Sequence, residues 1–493
     1  MKFLFDSNLF IPAEPTAPSD VEAKSPVVIE LLRTLGQGQH QVYVHPESHR
    51  ELTEEDRDPG RRDLRRLLLQ KYIQLPSPPR AKATLRASIG EAAPGTNDAV
   101  DNALLAAVHG DAVDYLVTED TRLLRKARAA QLARRVLSAG DALATVRSLF
   151  PIVPPPPPAV EQVRAYELDE HDSIFDSFRA DYPNFDRWLS HSKRDHRLTW
   201  LIRKQDGALA GLTIVKSEND RPYELPGKVL KICSFKVSET ARGYRFGELL
   251  LKSVFGYAFE NSHSAAYVTV FEKYTELIEL FTDFGFTEIP HRSSLSEVVL
   301  AKPLRFTRED YEKTAPLDFN IRFGPPHVKT DGIAPYMVPI RPEYHKVLFP
   351  EAEQQLDIIS GRNPFGNAIR KAYLCHANVR TIRPGDVLLF YRSVDLQALR
   401  CVGVAEDTLV SKHPQEIARF VGQRTVYGYN EIVQMCGKAE VLAILFRHAR
   451  TLDSPQALSV LKGSGVLKSA PQSIARMRPE GMRWLQDHLG PWP

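Results

Sequence analysis

The amino-acid sequence predicts a multidomain α/β protein: a parallel sheet with helices, then an α+β domain, then a small β-barrel followed by C-terminal helices. Three observations predict it. The chain has 493 residues, and at about 150 residues per domain that length implies roughly three cores. Residues 151–159 read PIVPPPPPA, and five consecutive prolines lack backbone donors and hold the chain extended, so this stretch spaces domains stiffly. On either side, short apolar runs alternate first with helical stretches and later with turn signals.

Composition narrows the class. Hydrophobic residues at 43% and charged residues at 25% are ordinary for a soluble globular chain. The formal charge of +3 is close to neutral for this length, whereas residues 331–493 carry 20 basic against 15 acidic side chains, a net of +5, which permits nucleic-acid contact without demanding it. Cys233, Cys375, Cys401 and Cys436 are the only cysteines; they form no CxxC pair and no Cys/His spacing suited to zinc. The opening MKFLFDSNLFIP is broken by Asp6, and no stretch reaches about 18 uninterrupted apolar residues, so a cytoplasmic chain that does not meet a membrane is expected. A second boundary falls where TAPLDFNIRFGPPHVKTDG lacks sustained periodicity. The expected units are 1–150, a linker at 151–159, 160–305, a linker at 306–332, and 333–493. The proline run also has the composition of a docking motif for a partner.

In the first unit, KFLF ends at Asp6 and DYLV precedes Thr118, Glu119 and Asp120. Both read as buried parallel strands, each placing a carboxylate at its C-terminal end, the edge at which the crevice of an open parallel sheet lies. On the helix AVDNALLAAVHG, Asp98 and Asp101 share a face while Leu104, Leu105 and Val108 supply the buried side. Glu51 follows the strand-like QVYVHP, with Glu47 and Glu54 on nearby turns. Carboxylates converging in a dry crevice repel one another and stay ionised when cations neutralise them; hard oxygen ligands suit Mg²⁺ or Mn²⁺. Taken singly, any of these acids reads equally as a helix cap or a solvated residue.

The pattern DSNLFI, an EL pair after the second strand, Asp101-Asn-Ala-Leu-Leu-Ala-Ala and Thr118-Glu-Asp120 resembles the PIN-domain nucleases. That resemblance implies Asp6, Glu51, Asp101 and Asp120 as catalytic acids, with Asp6, Asp98, Asp101 and Asp120 on the metal and Asn8 and Thr118 as polar supports.

In the second unit, LTWLIRKQDGALAGLTIVK predicts a hairpin turning at Gln205, Asp206 and Gly207. The strand LKICSFKV leads through SETARGYRFG into an amphipathic helix, and AAYVTVF is followed by the helix YTELIELFTDFGF. Exposed amides at a helix N-terminus suit a pyrophosphate. The order of elements resembles the GNAT acetyltransferases, whose acetyl-CoA loop follows Q/R-x-x-G-x-G/A. The resemblance implies acetyl-CoA on Val237, Arg242, Gly243, Tyr244, Arg245, Phe246 and Gly247. Arg245 replaces the central glycine, either adding a phosphate contact or obstructing the cofactor. Phe281 stands where a tyrosine acid is common and cannot donate a proton; Glu239 and Tyr274 are alternative base and acid.

In the third unit, short β-rich runs separated by turns such as Pro384-Gly385-Asp386 predict a compact barrel, and the tail from Ser454 reads as helical. GNAIRKAYLCHA with PGDVLLFYRS resembles the PUA-like barrels of the EVE and ASCH groups, which implies RNA binding. Asn367, Arg370, Lys371, Tyr391 and Arg392 are the candidate contacts, cations for phosphates and aromatic faces for bases; the opposing reading makes Tyr391 a core residue. Cys375 and His376 are neighbours on a strand and point to opposite faces, which argues for structural roles.

The leading expectation is a Mg²⁺/Mn²⁺-dependent endoribonuclease, toxin-like or RNA-processing, that binds acetyl-CoA and selects RNA, structured RNA such as tRNA included, through its third unit; an antitoxin is an expected partner. One rival makes acetyl transfer to tRNA, aminoacyl-tRNA or protein the main activity. A second makes the chain a non-catalytic RNA-binding regulator.

Overall fold

The computed structural model describes every residue except 14–19, 21, 23, 39, 55–58, 151–159, 205–206, 239–244, 353–367 and 491–493, and at positions 351 and 423 it describes the backbone alone. The expected linker at 151–159, the turn residues Gln205 and Asp206, and the site candidates Glu239, Arg242, Gly243, Tyr244 and Asn367 lie outside the described residues.

Eighteen strands in the described residues form three sheets. In the first, β1 (Lys2–Phe5), β2 (Gln41–Val44), β3 (Ile73–Gln74), β4 (Tyr115–Val117) and β5 (Val136–Leu137) run in the order β3-β2-β1-β4-β5, and every pairing is parallel. β1 and β4 are central and buried, as their unbroken apolar runs require. Helices cover both faces, and two apolar clusters fill the layers above and below the sheet.

The second sheet holds β6 (Val160–Arg164), β7 (Leu198–Arg203), β8 (Leu209–Glu218), β9 (Val229–Val237), β10 (Ala265–Val270), β11 (Thr287–Arg292) and β12 (Val298–Pro303) in the order β11-β12-β10-β9-β8-β7-β6. Its ladders are antiparallel except β9 with β10. The helix Phe246–Glu260 makes that one parallel crossover and buries Leu250, Leu251, Val254 and Phe255 on the sheet.

The third sheet comprises β13 (Pro335–Ile340), β14 (Arg370–Cys375), β15 (Val387–Arg392), β16 (Ala398–Ser411), β17 (Val441–Ala457) and β18 (Ala475–Arg476), ordered β14-β17-β16-β15-β13-β18. Where a compact barrel is expected, the chain forms a mixed sheet whose register shifts at three places between β16 and β17, with no ladder joining β14 to β18 among the described residues. Bulges bend strands and raise their twist, so β16 and β17 curl round a core of Phe349, Phe390 and Phe446. Pro342 opens the helix Pro342–Leu348 inside a stretch expected to be β-rich, because proline's fixed φ suits a first helical turn. The tail expected to be helical begins as the end of β17 and then forms the helices Leu458–Gly463 and Met482–Leu489.

The stretch expected as a linker, 306–332, carries two helices. Thr307 and Asp310 form a capping box for Arg308–Lys313, and Pro316–Phe323 follows. Phe306, Tyr311, Phe319 and Phe323 pack on one another. Lys302, fully buried at the end of β12, donates to the carbonyls of Ile321 and Arg322 at 2.7 and 2.8 Å and so satisfies the last turn of the second helix. Burial drives its pKa well down, and the two carbonyls and the Phe255 face 5.4 Å away are its partners.

The units share contacts. Leu149 joins the apolar cluster of Ile417, Ile432 and Leu445 in the third unit, Arg419 reaches Asp111 and Asp114 at 3.2 and 3.6 Å, and Arg134 pairs with Asp407 at 3.1 Å. Arg128 of the first unit pairs with Glu279 of the second.

Two stability predictions follow from the 306–332 region. Gly285 has φ 85°, and a Cβ there would stand 2.1 Å from the Ile321 carbonyl oxygen; Gly285→Ala should cost about 2–4 kcal/mol, read as a lowered denaturation midpoint. His327, with its ring against Phe259 and Phe306, has a pKa lowered to about 4, chiefly by burial. Its neutral form is favoured in the folded chain, so the stability it confers is present above the unfolded value and lost as pH falls through the folded one. The loss of melting temperature between about pH 6.5 and pH 4 should therefore be smaller in His327→Gln than in the parent.

Candidate functional site

Two sites grow out of the sheets. At the C-terminal edge of the first, Asp6 follows β1 and is buried. Its amide donates to the Val117 carbonyl at 3.1 Å, which fixes it beside the end of β4. The Thr118 hydroxyl donates to Asp6 Oδ2 at 2.7 Å, Asn8 Nδ2 donates to Thr118 Oγ1 at 3.3 Å, and the Asp120 amide donates to the same oxygen at 3.0 Å. Thr118 and Asn8 thus stitch the two strand ends together.

Asp101 comes from the helix Asn97–His109, which buries Leu104, Leu105 and Val108 in the turns that follow it. Burial first, then the charges of neighbouring acids, raise Asp6 and Asp101 each to about 6. Asp6 feels Glu51 and Asp120; Asp101 feels Asp120, Asp6 and Asp98, with Lys126 pulling the other way. Four elements therefore bring acids within one another's fields.

The roles differ from the expected set. Asp98 is turned outward, held by Lys126 Nζ at 2.5 Å; the same ammonium stands 3.6 Å from Asp101 and 3.0 Å from Asn102 Oδ1. Asp120 caps the helix Thr121–Ala129, accepting from the amides of Arg122 and Leu123, so the capping reading and the site reading both apply to it. Among the described residues no group of three His, Cys, Asp or Glu stands close enough to hold a metal ion. The donor chemistry suits a hard cation, but the carboxylates are not gathered into a ready cage. Lys126 escaped the sequence reading because its one signal is a helical position two turns after Thr118.

The second site opens in the central sheet. The β9–β10 ladder pairs Val229–Ile232 with Ala265–Val268, after which β9 continues to Val237 paired on β8 alone, so the two parallel strands part and leave a wedge. The helix Phe246–Glu260 starts at its mouth. Val237 closes β9, and Phe246 is buried. A Cβ on Gly247 would stand 2.8 Å from Leu280 and 3.7 Å from Phe235, which explains a glycine there by close packing. Arg245 takes φ 57° and ψ 27°, and its guanidinium pairs with Glu248 and donates to the Arg370 carbonyl at 2.9 Å. The side chain is thus held both by Glu248 in its own unit and by the third unit.

Phe281 lies wholly buried, ringed by Phe235 and Phe286. Seven residues earlier, Tyr274 donates to Asp181, which also pairs with Lys273. Burial raises the Tyr274 pKa, and its bond to Asp181 adds to this. Beside them Tyr182 donates to the buried Glu297 at 2.5 Å. Asp181, Tyr182 and Glu297 lay outside the sequence reading, since acids and tyrosines about 115 residues apart carry no local signal.

In the third unit the candidate RNA contacts need correction. Lys371 is fully buried, donating to the Leu348 carbonyl at 2.6 Å over the Phe349 ring, and Tyr391 is buried at 1% exposure; neither side chain reaches solvent, so neither can meet a phosphate or stack on a base. Arg392 forks onto Asp395, and Arg370 is spent on Asp283 and Glu406. His376 bonds the Met435 carbonyl, in keeping with a structural role. No described helix is long and apolar enough to cross a membrane.

Comparison with known proteins bears on these sites unequally. No curated protein matches the chain. Among solved structures, ASCH from Zymomonas mobilis is 15% identical, covers 31% of this chain and 94% of its own, and superposes with a TM-score of 0.24. A GNAT-family acetyltransferase from Staphylococcus aureus Mu50 is 13% identical over 30% of this chain and all of its own, TM-score 0.25; an IAA acetyltransferase from Bacillus cereus is 15% identical over 30% and 99%, TM-score 0.24. Residues 162–286, which span β7 to β10 and the helix between them, match the acetyltransferase (GNAT) family. That stretch is a GNAT acetyltransferase domain.

Proposed function

We propose that this chain is an acetyl-CoA-dependent N-acetyltransferase, and that its central domain performs the reaction on an amine carried by tRNA, aminoacyl-tRNA or protein. The observation that carries the reading is the parting of β9 from β10 in front of the helix Phe246–Glu260, within the span that matches the family. Bound acetyl-CoA supplies the activated acyl thioester. The strand edge from Cys233 to Val237 offers backbone groups to an extended ligand, and the amides at the helix start attract its diphosphate. Phe281 keeps that wall apolar, so proton handling falls to Tyr274: as the amine attacks the thioester carbon and the C–S bond breaks, the phenol, held on Asp181 beside Lys273, gives its proton to the departing CoA thiolate and is restored by the proton the amine loses.

Acetyl-CoA should raise the melting temperature of the full chain, the stabilisation growing to about 2.7 kcal/mol at a hundredfold excess over Kd. Labelled acetyl groups should pass to amine acceptors in a tRNA or protein pool, and Tyr274→Phe should slow that transfer by roughly 10²-fold or more while leaving cofactor affinity unchanged. A calorimetric titration without heat and without a thermal shift would remove the reading.

A second reading rests on its own observation, the convergence of Asp6, Asp101, Asp120 and Glu51 from four elements. We infer a metal-dependent ribonuclease activity of the PIN type for the first unit. Asp6, Asp101 and Asp120 offer hard oxygen donors that would have to draw closer than they stand here to hold Mg²⁺ or Mn²⁺, an ion that would activate water toward a phosphodiester. With Mn²⁺ present, purified chain should cleave RNA, and Asp6→Asn and Asp101→Asn should each abolish cleavage without lowering stability, because the neutral amide relieves a buried charge. Cleavage that persists in both variants sinks it.

A further inference from the structure

The residue just before the helix Phe246–Glu260 adopts a conformation suited to glycine, yet carries a large side chain. At φ 57° and ψ 27° Arg245 is left-handed, which is unfavourable for a residue with a Cβ. Something must hold it there, and its partners are unusual in their origin. The guanidinium pairs with Glu248, one turn into the helix, and Nη1 donates to the carbonyl of Arg370 at 2.9 Å. Glu248 is 4% exposed and accepts the Arg370 amide at 2.5 Å on its other oxygen. The backbone of one residue in the third domain therefore grips both ends of the Arg245–Glu248 pair.

That residue is itself anchored twice. Arg370 Nε lies 3.1 Å from Glu406 on β16, and Nη1 lies 3.2 Å from Asp283, the last residue of the helix Thr275–Asp283 in the central domain. Glu406 is in turn held by Arg447 at 3.1 Å and Arg424 at 3.4 Å. The electrostatics give the arrangement a purpose. A bare carboxylate on the first turn of a helix repels any other anion brought to that N-terminus, whereas the Glu248 carboxylate is covered on both oxygens, by Arg245 and by the Arg370 amide.

Building on the acetyl-CoA reading, we propose that Arg370 of the third domain is a positioning residue for Arg245 and the start of the helix Phe246–Glu260, where the acetyltransferase domain meets the cofactor's diphosphate. Anchored by Glu406 and Asp283, it fixes the backbone that holds Arg245 left-handed and folded onto Glu248. The amides of Phe246 and Gly247 then face a diphosphate without a competing negative charge beside them. The third domain is thus part of the cofactor site without touching the cofactor.

The test uses the full chain and acetyl-CoA as the titrant, comparing wild type, Arg370→Met, Arg245→Gly and the double variant by calorimetry. Arg370→Met keeps the backbone groups but releases both anchors, and should raise the acetyl-CoA Kd roughly tenfold, the scale of an ordinary coupling between sites. Glycine at 245 adopts the left-handed conformation unaided, so Arg245→Gly/Arg370→Met should bind as Arg245→Gly alone does; damage to the fold would show no such rescue. Wild-type affinity in Arg370→Met, or a double variant as much weaker than Arg245→Gly as Arg370→Met is than wild type, overturns the positioning role while leaving the cofactor reading intact. A wild-type chain that binds no acetyl-CoA overturns the cofactor reading, and this inference with it.

Discussion

The contacts that tie the third sheet to the central one radiate from one carboxylate. Glu406, on β16, keeps 10% of its side chain exposed, with Arg370, Arg424 and Arg447 around it. Burial alone would push its pKa up; the three guanidiniums more than reverse that and hold it well below the ordinary carboxylate range. A buried charge cluster of this kind is poor evidence for net stability, because desolvation offsets much of the attraction, yet removing one partner typically costs about 3–5 kcal/mol by stranding the others. Its consequence is therefore geometric. Arg370 carries the cluster to Asp283 and Glu248 in the central domain, and Arg447 lies over the Phe284 ring 4.9 Å away. The first unit joins one residue further along the same strand, where Arg134 reaches Asp407, and its guanidinium lies over the Phe420 ring.

The same constraint explains why 306–332 is structured. A free linker would let the second and third domains separate, and the Glu406 cluster could then fill with water. Instead Lys302 clamps the helix Pro316–Phe323 from one side, and Gly385 of the third domain comes so near Pro316 on the other that a Cβ would stand 2.7 Å away. The connection is a packed spacer with its own aromatic core, short enough to hold the register of the charged contacts.

What was legible in the sequence is what local pattern encodes. Apolar runs such as KFLF and LKICSFKV gave strands, and Asp6, Asp101 and Thr118 could be placed at one edge because strand ends and helix faces follow from periods of 2 and 3.6. Gly247 was read as a cofactor contact, and the close packing that its missing Cβ permits against Leu280 had no sequence signal. The failures share a cause. Lys371 and Tyr391 look like RNA ligands in one dimension and prove buried, since β14 and β15 are covered by chain far away in sequence. The Arg245–Glu248–Arg370 grip spans 125 residues, and long-range ion pairs leave no periodic trace. Proline, glycine and polar residues in 306–332 signalled a loop, but the aromatics every few residues, Phe306, Tyr311, Phe319 and Phe323, were the stronger term: burying four rings outweighs weak helix propensity.

Both candidate sites meet the problem of crowded carboxylates, and they meet it in the same way. In the first domain Lys126 lies between Asp98 and Asp101; in the second, Arg245 lies on Glu248. Each places a side-chain cation where a ligand's charge has to be accommodated. At the acidic edge that lowers the repulsion a divalent ion would otherwise relieve, so the first site trades some affinity for a cation against the stability of the empty fold. At the helix start it has the opposite sense, since covering Glu248 leaves the helix dipole free to attract an anion. A lysine from the same domain can serve the first purpose, because a flexible ammonium need only be near. The second requires a rigid, planar fork held from outside, and that is the work the third domain's Arg370 performs.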